Sequence, residues 1–585
     1  MNHSYPVFTA DAECQDCFKC VRHCPVKAIK IESGHASIIP ELCIACGQCV
    51  EVCPAKAKKI RNDSGRVHQL LSSSVPVYVS LAPSWVNEFK GLPAQKMIAA
   101  LKKLGFAGVS ETAIGAQAVS DNLAKTLEHL ENGIIISSAC PVTVDLIRKY
   151  MPEFTECISP VLSPAQAHAK MLHEKLGENI KIVFIGPCIA KKNEADRNPD
   201  LISISMIFPR LREWFKTEGV NPWTVEVTEE DVFLLETAKE GALYPIEGGM
   251  NETIRAHKNC ENIHFVSVSG IPALRQLLGG LRPSDVKEPV FIETLACIGG
   301  CVHGPATEHG SSGLLERLRI IRNSQIRENL SSKEITNIKT HYEKAPVPVE
   351  SPSLQDIKQA LRMVGKTRPQ DELNCGGCGY DTCMNFARAL ISQKAEPGMC
   401  VSYMRNLAQK KSNAILRCIP AATVIVDRNL RLIECNRRFA ELLGGDAMQI
   451  YEAAPGMPGA ILQKLLPFWE LFDEVLATKE ELSKDMIMLN NRLLSLNIFN
   501  IDPGQVIGAM LFDITSTEFR RGQIAARARE VINKNLATVQ DIACKLGEHM
   551  AETEILLRSI AEGYADPGVK ELNHLSVEGT LPDAR

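Results

Sequence analysis

From residue 76 onward, short apolar runs alternate with amphipathic stretches. VPVYVSLAP, GIIISSA and IKIVFIGP are apolar almost without interruption and each gives way to Pro, Gly or small residues, the pattern of strands buried on both faces. PAQKMIAALKKLGF, between the first two, spaces its apolar residues at three and four, as a helix does. The alternation predicts parallel βα units over 76–340, with functional loops at the strand C-terminal ends. Residues 412–516 differ in texture. TVIVD, LRLIEC, LLSLNIFNI and VIGAMLFDI read as strands and NRRFAELLG as a helix between them. From 517 to about 564, Ile532, Leu536, Val539, Ala543, Leu546 and Met550 recur at alternating four- and three-residue spacing, predicting one helix before a polar, Pro/Gly-containing tail. Residues 63–75 read as a polar connector and HYEKAPVPVESPS, 341–353, as a linker. The expected fold class is multidomain α/β and α+β, divided at 1–62, 76–340, 354–410, 412–516 and 517–585.

A chain of 585 residues is expected to form several domains. Its 65 Lys+Arg against 69 Asp+Glu give a net charge of −4, which argues against nucleic acid or an anionic membrane face as a partner. No apolar run reaches 18 residues, and MNHSYPVFTADAEC has no basic start followed by an apolar stretch, so a soluble, cytoplasmic protein is expected. The 21 cysteines change the picture most. In a reducing compartment, clustered cysteines point to metal rather than to disulfides.

Cys14, Cys17, Cys20 and Cys24 stand as C-x2-C-x2-C-x3-C-P, and Cys43, Cys46, Cys49 and Cys53 repeat the pattern. Tight turns place three thiolates of such a run around one cubane, and the fourth serves the other cluster. Cys14, Cys17, Cys20 and Cys53 are therefore expected to hold one 4Fe–4S cluster, and Cys43, Cys46, Cys49 and Cys24 its neighbour. A structural zinc ribbon is the competing reading, but zinc sites seldom follow a doubled eight-cysteine register.

Three further loops close strand-like runs: SSACPVTVDL with Cys140, IGPCIAKKNEAD with Cys188, and IETLACIGGCVHGPA with Cys297 and Cys301. With these three motifs in order behind a ferredoxin segment, 76–340 resembles the catalytic domain of FeFe hydrogenases. The resemblance implies an H-cluster: a 4Fe–4S cubane on Cys140, Cys188, Cys297 and Cys301. Cys301 would also bridge to a diiron unit bearing carbonyl, cyanide and azadithiolate, where dihydrogen is split or formed. Lys191 matches the family lysine that donates to an iron-bound cyanide, and Pro83-Ser84 a loop lining the same cavity, with Ser84 a donor to the second cyanide.

The departures are equally specific. Where prototypical members carry a proton-relaying cysteine, this chain has Ala139; the pocket methionines correspond to Gly186 and Leu295. A thiol near pKa 8.5 passes protons and a methyl does not. The paired glutamates of the usual proton path have no counterpart in IGAQAVSDNL. These departures suggest slow turnover and the sensory type of the family. The alternatives are a bulk catabolic, ferredoxin-linked hydrogenase, and an electron-transfer or iron–sulfur assembly protein without diiron.

In 354–410, Cys375, Cys378, Cys383 and Cys400 form C-x2-C-x4-C-x16-C among glycines, resembling the small Fe–S domain of redox subunits and implying a further 4Fe–4S cluster, with zinc as competitor. VIVDRNLRLIECNRRFAELLG resembles the opening of a PAS domain, which implies sensing or relay, often as a homodimer through flanking helices. Cys157, Cys260, Cys418, Cys435 and Cys544 read as ordinary cysteines. The expected partners are dihydrogen and protons, a redox partner such as ferredoxin, and a separate signalling effector, since no output motif follows the PAS-like segment.

Overall fold

The computed structural model describes residues 5–515 apart from 236–238, 258–259, 309, 311, 325–336 and 349–350, together with 527–529 and 531–535. The chain divides into two compact units, Met1–Val401 and Ser402–Arg585. No helix among the described residues is long and apolar enough to cross a membrane.

The first unit opens with two small antiparallel sheets, Val7–Thr9 with Lys58–Ile60 and Ile29–Glu32 with His35–Ile38, which frame the cysteine-bearing turns. Two parallel sheets follow. One has four strands in the order Gly108–Glu111, Val77–Leu81, Lys181–Gly186, Ile204–Ile207; the other has three, His264–Ser269, Pro289–Leu295, Gly133–Ile136. Helices cover the four-stranded sheet. Ala94–Lys103 buries Met97, Ile98, Ala100 and Leu101 against Val79 and Val109, and Phe208–Thr217 adds Leu211, Trp214 and Phe215. The expected βα alternation and its parallel sheets are present.

The segment read as a connector is not one. Ser64–Leu71 is a helix whose Val67 is fully buried, and the preceding Asp63 is enclosed. The polar string DSGRVHQLL spends its charge inward, because Asp63 accepts from Lys192, Arg61 and Arg66. Composition reported polarity; the buried ion pair that makes it structural comes from Lys192, 129 residues along the chain.

Residue 353 opens the small module through a capping box, in which Ser353 and Asp356 satisfy each other's backbone N–H at the start of helix Leu354–Met363. That helix packs Ile357, Ala360 and Leu361 on Cys383 and Ala387 of helix Cys383–Ile391.

The second unit is built on a five-stranded antiparallel sheet ordered Leu432–Cys435, Ala422–Asp427, Val506–Asp513, Arg492–Asp502, Leu482–Leu489. The last of these strands goes beyond the four read from sequence. Asn436 caps helix Arg437–Leu443 by accepting from Phe439 N, accepts from Thr423 N, and donates to Ala421 O, so one side chain ties helix to sheet. Val424, Leu496, Ile498 and Leu511 fill the core against Phe439 and Phe472. Of the apolar stripe proposed for the tail, Leu536, Val539, Ala543, Leu546 and Met550 lie outside the described residues, as does Cys544.

Candidate iron–sulfur and catalytic centres

Four cysteines meet at the C-terminal ends of strands from both parallel sheets. Cys140 caps helix Pro141–Tyr150 just after strand Gly133–Ile136, Cys188 follows strand Lys181–Gly186, and Cys297 and Cys301 follow strand Pro289–Leu295. In parallel sheets the loops beyond the carboxyl ends of strands are free of hydrogen-bonding duty and can be spent on a site. Burial pushes the Cys188 thiol up to about 11, with Cys140 adding to the rise and the Lys191 ammonium opposing it. Cys297 and Cys301 are also raised, first by burial; Cys301, Cys188 and Cys140 then add to the rise at Cys297, and Cys140 and Cys188 to that at Cys301. Cys140 and Cys188 thus lie close enough to act on both Cys297 and Cys301. Neutral thiols at such a site are costly to ionise singly, whereas four thiolates around a cationic metal core compensate one another.

Around this centre, Lys191 is buried and donates to Ser163 Oγ at 2.8 Å and to Glu194 Oε2. Ser84, at the start of the short helix Trp85–Glu88, is 1% exposed and its hydroxyl has no hydrogen-bond partner. A buried, unpaired hydroxyl costs roughly 1–3 kcal/mol, so a position of this kind suits a group that accepts from it. Gly186 cannot simply gain a side chain: a Cβ there would lie 2.6 Å from the Phe184 ring and 2.9 Å from Ala82 Cβ. Phe184 occupies the room a pocket methionine would need. Leu295 is buried at the end of its strand, and Pro83 precedes Ser84 on the loop from strand Val77–Leu81. Ala139 offers only its backbone, donating from N to Ser137 Oγ at 3.2 Å.

Sequence reasoning passed over several polar groups near these loops. Ser138 Oγ lies 3.2 Å from Ser159 Oγ and donates to Val161 O. Glu293, two residues before the end of its strand, is 2% exposed and accepts from Met250 N, Asn251 N and Ser267 Oγ. Burial raises its carboxyl to about 7 against those hydrogen bonds. The one local signal was a glutamate inside an apolar strand, FIETL.

The structure brings part of the expected dicluster set together. Cys24, Cys43, Cys46 and Cys49 line one small apolar cavity. Cys43, Cys46 and Cys49 are raised by burial, and Cys24 contributes to each. Cys20 is raised by burial, with Cys14 and Cys17 adding to it. The second turn is wedged against the loops that follow Cys188 and Cys301: Gly47 has φ +80°, and a Cβ on it would lie 2.5 Å from Ile189 Cδ1 and 3.1 Å from Pro305. Cys46 also adds to the rise of Cys297. Helix Pro141–Tyr150, which begins at Cys140, ends on the loop before Cys46: Lys149 Nζ donates to Glu41 O and Cys43 O, and Tyr150 Oη to Leu42 O.

In the small module, Cys378 is raised by burial and then by Cys400 and Cys383, so these three are brought together; Cys375 is exposed on the same turn. Gly376 and Gly379 take φ of +70° and +93°, conformations glycine adopts without cost, and the turn brings backbone amides toward the thiols.

Four family models match this chain. Residues 75–305 match the C-terminal domain of the iron-only hydrogenase large subunit, 6–54 a 4Fe-4S dicluster domain, 371–402 an Fe-S cluster domain and 410–486 a PAS domain. Iron hydrogenase 1 of Clostridium pasteurianum is 26% identical over 271 residues, which are 38% of this chain and 47% of that protein. The large subunit of the periplasmic [Fe] hydrogenase of Nitratidesulfovibrio vulgaris is 26% identical over 357 residues, 50% of this chain and 84% of that one. The alignment thus spans just under half the length of the Clostridium relative. Among solved structures, an [FeFe]-hydrogenase variant from Chlamydomonas reinhardtii is 18% identical, with a TM-score of 0.37 over 48% of this chain and 99% of that one. The chain thus joins a segment similar to the iron-only hydrogenase large subunit to a ferredoxin-like dicluster domain, a small Fe–S domain and a PAS domain.

Proposed function

We propose that this protein activates dihydrogen, H2 = 2 H+ + 2 e−, at an H-cluster held by Cys140, Cys188, Cys297 and Cys301, turns over slowly, and uses the redox outcome as a signal relayed through its PAS domain. The observation that carries the reading is the convergence of four cysteines, Cys140 buried and the other three half-buried, from three loops and two sheets, beside the unpartnered hydroxyl of Ser84. A 4Fe–4S cube takes four such sulfurs. When bound, the cluster and its diiron partner supply the heterolytic hydrogen chemistry and the electron exit.

The chain's own residues do the rest. Cys140, Cys188, Cys297 and Cys301 would hold the cluster, and Cys301 would also serve the diiron unit. Lys191 and Ser84 donate to anionic ligands, a role that suits a compact ammonium and a hydroxyl lacking any other acceptor. Lys191 starts from hydrogen bonds to Ser163 and Glu194, which hold its head near Cys188 and would share it with a bound anion. Ala139 supplies no proton, which is the basis for slow turnover. Pro83, Gly186 and Leu295 line the pocket; Phe184 shields the space beside Gly186.

Gly47 packs against Ile189 and Pro305, and with clusters bound this contact would be the passage for electrons between the two domains. A ferredoxin-type carrier serves as external partner, and the PAS domain acts on a separate effector as a homodimer. The test is infrared spectroscopy after maturation with a synthetic diiron precursor. Carbonyl and cyanide bands together with measurable hydrogen turnover support the reading; their absence from protein with a full iron complement leaves an electron-transfer protein instead.

A further inference from the structure

The small Fe–S module packs against the dicluster domain, and the manner of packing assigns an order to the clusters. Arg22 lies in helix Lys19–His23, which also carries Cys20. Its guanidinium donates to Cys17 O at 2.9 Å and to Gly377 O at 3.2 Å. One planar side chain therefore joins the turn bearing Cys14, Cys17 and Cys20 to the turn bearing Cys375 and Cys378. The approach is close enough to exclude a methyl group: a Cβ on Gly379 would lie 2.9 Å from Val21 Cγ1 and 3.2 Å from Arg22 N. Two more bonds flank the bridge, Ile31 N to Lys394 O at 3.0 Å and Ser33 N to Glu396 Oε1 at 2.7 Å. Lys27 sits 6.0 Å from the centre of the Tyr380 ring, and Tyr380 is itself buried.

We propose that the module is the terminal station of a single-file electron chain, docked by Arg22 on the outer dicluster site. It would exchange electrons with the catalytic centre only through the dicluster domain. The order is then the catalytic thiols, the Cys24/Cys43/Cys46/Cys49 site, the Cys14/Cys17/Cys20/Cys53 site, and the Cys375/Cys378/Cys383/Cys400 site. The inner dicluster site is the one wedged on Ile189 and Pro305, and the outer one presents the Cys17 carbonyl to Arg22. Each hop moves one electron: the donor cluster is oxidised by one as its neighbour is reduced by one, with no bond made or broken. Arg22 is a positioning residue. Its rigid two-acceptor fork fixes the spacing of two ligand turns in a way that a lysine, with one point charge, reproduces only in part.

This inference rests on reading residues 371–402 as a cluster holder, and the experiment separates the two. The full chain is reconstituted anaerobically with iron and sulfide, reduced with dithionite and examined by electron paramagnetic resonance, alongside Arg22→Ala and Arg22→Lys. The expected result is magnetic broadening between the module's signal and a dicluster signal. It is lost in Arg22→Ala and partly kept in Arg22→Lys, at unchanged iron content. Amide exchange at Gly377 and Gly379 is expected to rise about tenfold or more in Arg22→Ala, the equivalent of one charge-assisted hydrogen bond. Unchanged line shape and exchange in Arg22→Ala overturn the docking; should that variant fail to fold, a native chain with no inter-cluster broadening overturns it equally. A module that takes up no iron when the other sites are filled overturns the cluster reading itself.

Discussion

Lys192 and Asp63 form an ion pair at 2.7 Å, both side chains wholly removed from solvent. Lys192 also donates to Ser205 O at 3.0 Å, while Asp63 accepts in addition from Arg61 at 3.0 Å and Arg66 at 2.9 Å. Burial works to raise the Asp63 carboxyl, but the three cations outweigh it and hold it below the usual carboxylate range. The pair is the pin between the segment that follows the dicluster domain and the helix Lys191–Arg197 that begins with the proposed anion donor. Replacing Lys192 by Met strands a buried carboxylate. Breaking a buried pair costs about 3–5 kcal/mol, and because Arg61 and Arg66 remain, the lower end, about 3, is expected. For a domain of this size that is a drop of about 6–12 °C in the unfolding midpoint. Pairing Lys192→Met with Asp63→Asn removes both charges, and Asp196 at 2.7 Å still engages Arg61, so the double variant should recover about 2 kcal/mol of the summed single losses. The assay is thermal unfolding at one fixed scan rate, followed by circular dichroism and by cluster absorbance. If the double variant loses as much as the two singles added together, the charges are not coupled and the reasoning fails.

Three further outcomes follow from the same structure. Ala139→Cys restores a titratable proton carrier beside Cys140, and hydrogen turnover of the matured protein should rise by about a hundredfold or more; an unchanged rate places the relay elsewhere. Gly186→Met drives a side chain into Phe184 and Ala82, and should cost about 1–3 kcal/mol in thermal unfolding, relieved when Phe184 is trimmed to Leu in the same chain. His168 is fully buried between Ser80 Oγ and Ser110 Oγ, each 2.8 Å from a ring nitrogen, and burial lowers its pKa to about 3. The unfolded chain therefore takes up this proton first as pH falls below about 6.5, and the folded state should lose about 2 kcal/mol by pH 5 relative to pH 7. His168→Asn should flatten that slope in denaturant titrations across the range, and an unaltered slope would assign it to other groups.

The parts of the site that were legible in the sequence are those where chemistry fixes spacing. Two C-x2-C-x2-C-x3-C-P runs declare their partners because a cubane permits few geometries, and Cys24 does stand with Cys43, Cys46 and Cys49. The parallel strands were legible because burial on both faces leaves almost no polar positions. What escaped were pairings set only by the tertiary fold. Asp63 and Lys192 are 129 residues apart, and Arg22 and Gly377 are 355 apart, so nothing local marks either as a contact. The helix Ser64–Leu71 was hidden by the same fact, since its polar residues look solvated until their distant partners are known. Phe184 is the subtler case: it reads as an ordinary strand residue, yet it takes the volume left by glycine two positions on.

The helix Pro141–Tyr150 touches both centres, with Cys140 at its first turn and Lys149 and Tyr150 gripping the loop of Glu41 to Cys43 at its last. Ten residues make a strut about 15 Å long, stiffer than any loop. A displacement of the loop from Glu41 to Cys43 is therefore carried along the helix toward Cys140. Were the Cys24, Cys43, Cys46 and Cys49 site to lose its order, Cys140 should be held less firmly, and filling of the two sites would be linked through this one helix.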